Sequence, residues 1–212
     1  MDICPPCLQQ MAWTNNPCKQ CGLPLPEIFD PSYCGACLLN PPPFQYCASP
    51  LVYQPPVSHL VQSFKYNRKI VNGLILSTLL IQYLIGEYKH RPWPTAIIPV
   101  PLHHSRLRER GFNQSLVISK AIARQISLPV LHNVCLRIAP TLPQQQLSAV
   151  QRRSNLAQAF RIQHEGILAQ HSSIAVVDDV VTTSSTARAM AALLRQNGVK
   201  EVHIWSLART LS

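Results

Sequence analysis

Val176-Val177-Asp178-Asp179-Val180-Val181-Thr182-Thr183-Ser184-Ser185-Thr186 sets two adjacent carboxylates at the end of an apolar run and follows them with a hydroxyl-rich turn. Upstream, Ile174 to Val177 is a short continuous apolar stretch, the pattern of a strand covered on both faces. Downstream, Ser185 to Asn197 is alanine-rich at helical spacing and stops at Gly198, and Val202 to Leu207 is a second apolar strand. Strand, helix-length crossover and strand imply a parallel pair, so the chain is read as an α/β domain whose ligand site lies beyond the carboxyl ends of its strands. Amide hydrogens and the dipole at the helix start favour a phosphate, and the hydroxyls of Thr182, Thr183, Ser184, Ser185 and Thr186 add donors. Asp178 and Asp179 are badly placed for a phosphate but well placed to accept hydrogen bonds from sugar hydroxyls. The arrangement suits a ribose 5-phosphate group. The plainer alternative is that the acids solvate a strand end while a hydroxyl caps the helix.

The alternation continues towards the N-terminus. Leu51 to Tyr53 is short and apolar, Val57 to Asn67 and Ile70 to His90 have helical patterns, and Ala96 to Leu102 is a strand ending in Pro99-Val100-Pro101. Phe112 to Ile126 is a helix, Val130 to Leu136 a strand, and Ser148 to Phe160 a basic helix. Arg106, Arg108 and Arg110 follow the proline-marked strand end at alternating positions of a loop. Planar guanidinium forks there suit the oxygens of a pyrophosphate, with a solvated basic loop as the alternative. His103 and His104 are read as surface residues, because no acid is paired with them in the sequence. No residue is assigned a catalytic role.

Seven of the eight cysteines fall in the first 47 residues, six of them as the pairs Cys4/Cys7, Cys18/Cys21 and Cys34/Cys37. Two residues between cysteines let both thiolates reach one tetrahedral ion, and two such turns close a four-cysteine zinc site. This proline-rich stretch has too few large apolar residues to fold without such a staple. Ten residues separate Cys7 from Cys18 and twelve separate Cys21 from Cys34, so both consecutive combinations are open. Cys4, Cys7, Cys18 and Cys21 are preferred, with Cys34 and Cys37 in reserve. Cys47 and Cys135 are read as small buried hydrophobes. Asn40-Pro41-Pro42-Pro43 cannot continue a helix or a sheet, which puts a boundary near residue 45 between a zinc-ribbon module (1–45) and the α/β domain (46–212).

The chain has 212 residues, 47% hydrophobic and 13% charged, enough for a buried core and against a mainly disordered chain. A formal charge of +10 favours phosphate-bearing partners, nucleic acid among them. Met1-Asp2-Ile3-Cys4 opens no secretory signal, and the segment Ile70 to Tyr88 is interrupted by Asn72, Gln82 and Glu87. The expectation is a cytoplasmic protein with no membrane span.

The Asp-Asp-x-x-Thr-Thr-x-x-Thr run resembles the phosphoribosyl pyrophosphate (PRPP) motif of type I phosphoribosyltransferases. The resemblance implies that Asp178 and Asp179 hold the ribose hydroxyls while Thr182, Thr183, Ser184, Ser185 and Thr186 wrap the 5-phosphate, with Mg2+ accompanying PRPP. Where that family usually has glycine this chain has Ser184, at a position that calls for close backbone approach or a positive φ. The zinc pairs, Phe64-Lys65-Tyr66, Val100-Pro101-Leu102, Arg108-Glu109-Arg110-Gly111-Phe112-Asn113-Gln114, Gln146, Arg153 to Asn155, Ala159-Phe160 and the acidic motif occur in the order seen in the ComF family, which nearly the whole chain resembles. That resemblance implies a part in bacterial DNA uptake and natural competence. By likeness to phosphoribosyltransferases with a loop in that position, Gln144 to Gln146, Arg152 and Arg153 form a hood over the pocket.

Three functional readings follow. The first is a PRPP-binding protein of DNA uptake that handles incoming single-stranded DNA, with Phe44, Tyr46, Trp13 and Trp93 as stacking candidates. The second is an active phosphoribosyltransferase of nucleotide or amine metabolism. The third is a zinc-ribbon adaptor that docks a DNA-translocating helicase.

Overall fold

A computed structural model describes residues 3–26, 32–139 and 159–211. Its centre is a parallel sheet of β1 (Tyr46–Ala48), β2 (Leu51–Val52), β3 (Ala96–Pro99), β6 (Ser173–Val181) and β7 (Glu201–Arg209). The order is β1-β7-β6-β3, with β2 continuing along the β1 edge of β7. β6 lies between β3 and β7, with Val176 opposite Ile98 and Ile204, and Asp178 opposite Ser206. The strand is thus longer than the apolar run Ile174 to Val177 and carries both acids within its own length. Ala96 to Leu102 is a strand only as far as Pro99. Val130 to Leu136 reduces to one bridge from Val130 to Ile97, followed by β4 (Cys135–Arg137), which pairs antiparallel with β5 (Phe160–Ile162). The helix expected over residues 148–160 lies outside the described residues as far as 158, and Phe160 belongs to β5.

Alternate residues of the strands feed two cores. Ile98, Ile174, Val176, Val202 and Ile204 face α8 (Ser185–Gln196) and the β4–β5 hairpin. Ile97, Ala175, Val177, Trp205 and Leu207 face α3 (Val57–Tyr66), α4 (Ile70–Glu87) and α6 (Gln114–Ile126). Both sheet faces are covered, which is why the strands read as unbroken apolar runs rather than as alternation. The segment Ile70–His90, α4 with the 3-10 turn that follows it, is long and apolar enough to cross a membrane. Here Leu76, Leu79, Leu80 and Leu84 are fully buried in the second core, as in the central helix of an α/β domain. A short helix α7 (Glu165–Leu168) precedes β6, and α5 (His104–Arg110) follows β3.

The N-terminal cysteines divide between the two faces. Cys18, Cys21, Cys34 and Cys37 are all buried, their sulfurs lie within 4.8 Å of one another, and they join the core beside α8. Cys21 Sγ and Cys34 Sγ are 3.6 Å apart, near the ~3.8 Å edge of a tetrahedron with 2.3 Å zinc–sulfur bonds. Burial pushes the Cys21 thiol up to about 11. At Cys18 burial acts in the same direction but is outweighed by the backbone N–H groups of Cys21, Cys34 and Gln20, which bring it down to about 7. Four thiols in one apolar pocket are a donor set that a zinc ion fits, because the ion's charge offsets the cost of burying thiolates.

This corrects the preferred ligand set. Cys4 and Cys7 are exposed and outside the cluster. They flank the start of α1 (Pro5–Gln9), whose neighbourhood packs Ile3, Leu8 and Met11 against the opposite core. Apolar docking, invisible to cysteine spacing, decides which pairs meet. Cys34→Ser should release about one zinc per chain, whereas Cys4→Ser should retain it; elemental analysis of the two purified variants checks this, and zinc loss in Cys4→Ser would contradict the assignment.

Candidate functional site

A cavity of about 310 Å3 opens at the carboxyl ends of β3 and β6. Lys65 at the end of α3, Arg106 and Arg110 of α5, Ser115 of α6, Arg137 of β4, the two acids of β6 and Thr186 of α8 converge on it. Arg110 and Gln114, at the two ends of the run 110–114, line it, and the three residues between them hold the two in place. Gly111 ends α5 at φ +80°, with its N–H on Leu107 O at 2.8 Å, a conformation that favours glycine. Phe112 turns inward onto Phe64, ring centroids 5.5 Å apart. Asn113 caps α6 through Oδ1 and donates from Nδ2 to Val100 O at 3.1 Å, tying the helix start to the end of β3. Gln114, 1% exposed, accepts from Arg110 Nη1 at 3.2 Å. Arg110 Nε and Gln114 Nε2 are both buried without a hydrogen-bond partner in the protein.

The arginines do not lie in a loop. Because α5 is helical, Arg106 and Arg110 are one turn apart on the face that lines the cavity. Arg108, about 200° round the axis from Arg106, is exposed outside the lining. His103, read as a surface residue, is 7% exposed, lines the cavity, and caps α5 by accepting from Ser105 N at 3.4 Å. Burial first, then the charges of His104, Arg137 and Arg108, hold its pKa below the ordinary value. His104 is exposed, as expected. Gln146 and Arg153, with the rest of the expected hood, lie outside the described residues.

The two acids differ. Asp179 is 8% exposed and forms an ion pair with Lys65 Nζ at 2.8 Å. Asp178 accepts from Ser115 Oγ at 3.3 Å and from the Asp179 N–H at 2.9 Å. Burial, and then the charge of Asp179, push Asp178 up to about 7 against the opposing influence of Lys65. One carboxylate is neutralised by a lysine and the other stands at the edge of ionisation. Lys65, Ser115 and Arg137 were not singled out for this site from the sequence. Lys65 lay in a segment marked only by its order, and Arg137 is brought in by a hairpin pairing of residues 23 positions apart.

Beyond β6 the turn enters α8 at Ser184, which adopts φ +60° and ψ +10°. The left-handed conformation expected of a glycine is therefore taken by a serine, at a cost of roughly 1 kcal/mol. Thr183 Oγ1 and Ser185 Oγ are 2.8 Å apart, Thr182 and Thr183 are exposed, Ser184 is buried, and Thr186 alone of the five lines the cavity.

Buried donors, a basic wall and an adjacent helix start surround the cavity, with two carboxylates at its floor. No family model matches the chain. It is 37% identical over 211 residues to DNA utilization protein YhgH of Salmonella typhi, covering 99% of this chain and 91% of that one. It is 36% identical to the Escherichia coli K12 protein of the same name over the same shares. Identity to competence protein F of Haemophilus influenzae is 37% over 196 residues, 91% of this chain and 84% of the relative. Among solved structures, the Bacillus subtilis glutamine PRPP amidotransferase superposes on 64% of this chain and 26% of its own, with TM-score 0.42 and 17% identity. Adenine phosphoribosyltransferase from Leishmania tarentolae covers 60% of this chain and 53% of its own, with TM-score 0.38 and 18% identity. Both structural likenesses are loose. The near full-length sequence identity, together with the residue order noted above, shows that the chain belongs to the ComF family, whose curated members bear the names DNA utilization protein YhgH and competence protein F.

Proposed function

We propose that this chain binds PRPP, or a closely related ribose 5-phosphate, and acts in the cytoplasm in the uptake and use of DNA, handling single-stranded DNA. The observation that carries the reading is the pair of buried donors at the cavity, Arg110 Nε and Gln114 Nε2, which lack a protein acceptor beside the further cations Arg106 and Arg137. Buried donors without acceptors are costly, and a polyanionic ligand supplies the acceptors. Asp178 would take a ribose hydroxyl, the turn at 182–186 the 5-phosphate, and α5 the pyrophosphate. Mg2+ would arrive with the pyrophosphate. The names of the relatives support the connection to DNA, and the net charge of +10 supports contact with its phosphates. Of the stacking candidates, Phe44 and Tyr46 are buried, which leaves Trp13 at 40% exposure and the half-buried Trp93.

Three outcomes test the proposal. Arg110→Gln should lower PRPP affinity about tenfold or more while Arg108→Gln changes it little, because charged hydrogen bonds to a ligand contribute roughly 1.5 to 3 kcal/mol each. Calorimetry on both decides, and equal losses would contradict the helical phase of α5. Asp178→Asn should weaken PRPP binding yet stabilise the fold. The native acid's pKa is raised to about 7, so the folded protein holds a proton that the unfolded chain gives up near 4. The resulting loss of stability grows from about pH 4 to 7 and is complete above 7. The variant should gain up to about 4 kcal/mol at pH 8 and little at pH 4; denaturant midpoints at the two pH values measure it, and a less stable variant at pH 8 would overturn the electrostatic assignment. Single-stranded DNA should bind without sequence preference, its affinity falling with salt at a log–log slope of roughly 0.7 per phosphate neutralised. An affinity independent of salt would count against it. Pyrophosphate release from PRPP with a panel of bases and amines separates a binder from an enzyme.

A further inference from the structure

The turn proposed to hold phosphate is strapped at both ends to the four-cysteine module, and each strap is an arginine. At the strand end, Arg209 closes β7, is 5% exposed, and spreads its guanidinium between the two parts of the chain. Its Nε donates to Cys21 O at 3.3 Å, the carbonyl of the tight turn between two cysteines of the cluster. Its Nη1 donates to Val181 O at 3.2 Å, to Thr182 O, and to Thr210 O at 3.3 Å. At the helix end, Arg188 in the second turn of α8 donates from Nη2 to Asn40 O at 2.7 Å and from Nη1 to Pro41 O at 3.4 Å, just beyond α2 (Gly35–Leu39) and its Cys37.

The direction of these bonds matters. In a trans peptide the carbonyl and the following N–H point opposite ways. Anchoring Thr182 O on Arg209 therefore turns the Thr183 N–H away from the cysteine module and towards the open side of the turn, where a phosphate would sit. The Cys21 carbonyl can serve as anchor only while the turn around it is held. That turn is fixed by Gly22 at φ +68°, by Gly22 N on Cys18 O at 2.9 Å, and by close contact with Cys47, where a Cβ on Gly22 would lie 2.9 Å from Cys47 O. Among the described residues no carboxylate pairs with Arg209, so its buried charge is satisfied by these carbonyls and by the Thr210 hydroxyl, whose Oγ1 accepts from Nη1 at 3.4 Å. If the Cys18–Cys21 turn relaxes, the guanidinium must find another acceptor and the peptide at Thr182 is free to rotate.

We infer that the cysteine module is the brace of the phosphate turn, with Arg209 as the positioning residue that transmits it, so that occupancy of the four-cysteine site by zinc sets affinity for the phosphate group. The inference rests on the proposed function of that turn, and the experiment separates the two. Amide signals of Thr182 to Thr186 in 1H–15N spectra of the full chain are followed with zinc bound and after chelation, alone and during titration with ribose 5-phosphate, for the parent and for Arg209→Lys. Chelation of the parent should shift these signals and weaken ribose 5-phosphate about tenfold. Arg209→Lys should keep its zinc, show shifted signals and a similar weakening while loaded, and change little further on chelation, since lysine keeps the charge but cannot bridge both sets of carbonyls. Signals of Thr182 to Thr186 that stay at parental positions in zinc-loaded Arg209→Lys would overturn the brace, as would parental signals unmoved by chelation. If ribose 5-phosphate fails to bind the parent, the functional reading fails, and the ligand-free signals still decide on the brace.

Discussion

β6 is paired along its length to β7 on one edge and through Ser173 to Val177 to the β3 side on the other, and both its faces are buried. The placement of the site depends on that constraint. A strand held on all four sides cannot shift register without moving every side chain to the wrong face. Asp178 and Asp179, which follow directly from Val177, are therefore fixed relative to the sheet end. Both acids line the one cavity at the sheet end, but they find different partners there. Asp178 meets Ser115 at the start of α6 and Asp179 meets Lys65 from α3.

The division of labour between the acids has an electrostatic consequence. A doubly ionised pair in a half-buried floor would repel an incoming anion as well as itself. Lys65 neutralises Asp179, and its own charge is kept by that contact although burial opposes it. Asp178 is left with a raised pKa, so near neutral pH the floor contributes less than one full negative charge while Arg106, Arg110 and Arg137 supply the wall. On the proposed reading, the site would present sugar-hydroxyl acceptors without cancelling the field of its arginines. Removing Asp179 would strand a buried ammonium, so the strand-end acid is more closely tied to the fold than its position in the sequence implies.

The parts legible in the sequence were those fixed by local pattern: the helices over residues 57–66, 70–87, 114–126 and 185–196 follow apolar spacing and stop signals, and β6 and β7 follow their apolar runs. Ser184 was legible too, since the family glycine it replaces marked a positive φ that the structure shows. What was not legible depended on contacts between distant residues. Three equivalent Cys-x2-Cys pairs carry no information about which sheet face each will meet; that is decided by Leu8 and Met11 docking on one side and Phe44 on the other. The arginines at 106, 108 and 110 look equivalent in a loop but not on a helix, and the short α5 has too few residues for periodicity to reveal it. His103 gave no sign of its cap because the helix it caps was not seen.

Ser184 joins these themes. Its left-handed backbone is unfavourable for a residue with a Cβ, and its side chain makes no capping bond to offset that cost. A strained residue persists only where its surroundings over-determine it. On the strand side, the carbonyls of Val181 and Thr182 are gripped by Arg209; on the helix side, Ser184 O accepts from Arg188 N at 2.8 Å while the Arg188 side chain reaches residues 40 and 41. The constraint is thus supplied from outside the turn, by the segment that carries the cysteines. A glycine would have adopted the same conformation without help, leaving the turn less dependent on its neighbours. By placing serine there, this chain ties the shape of the turn to the integrity of a module that the sequence presents as a separate unit.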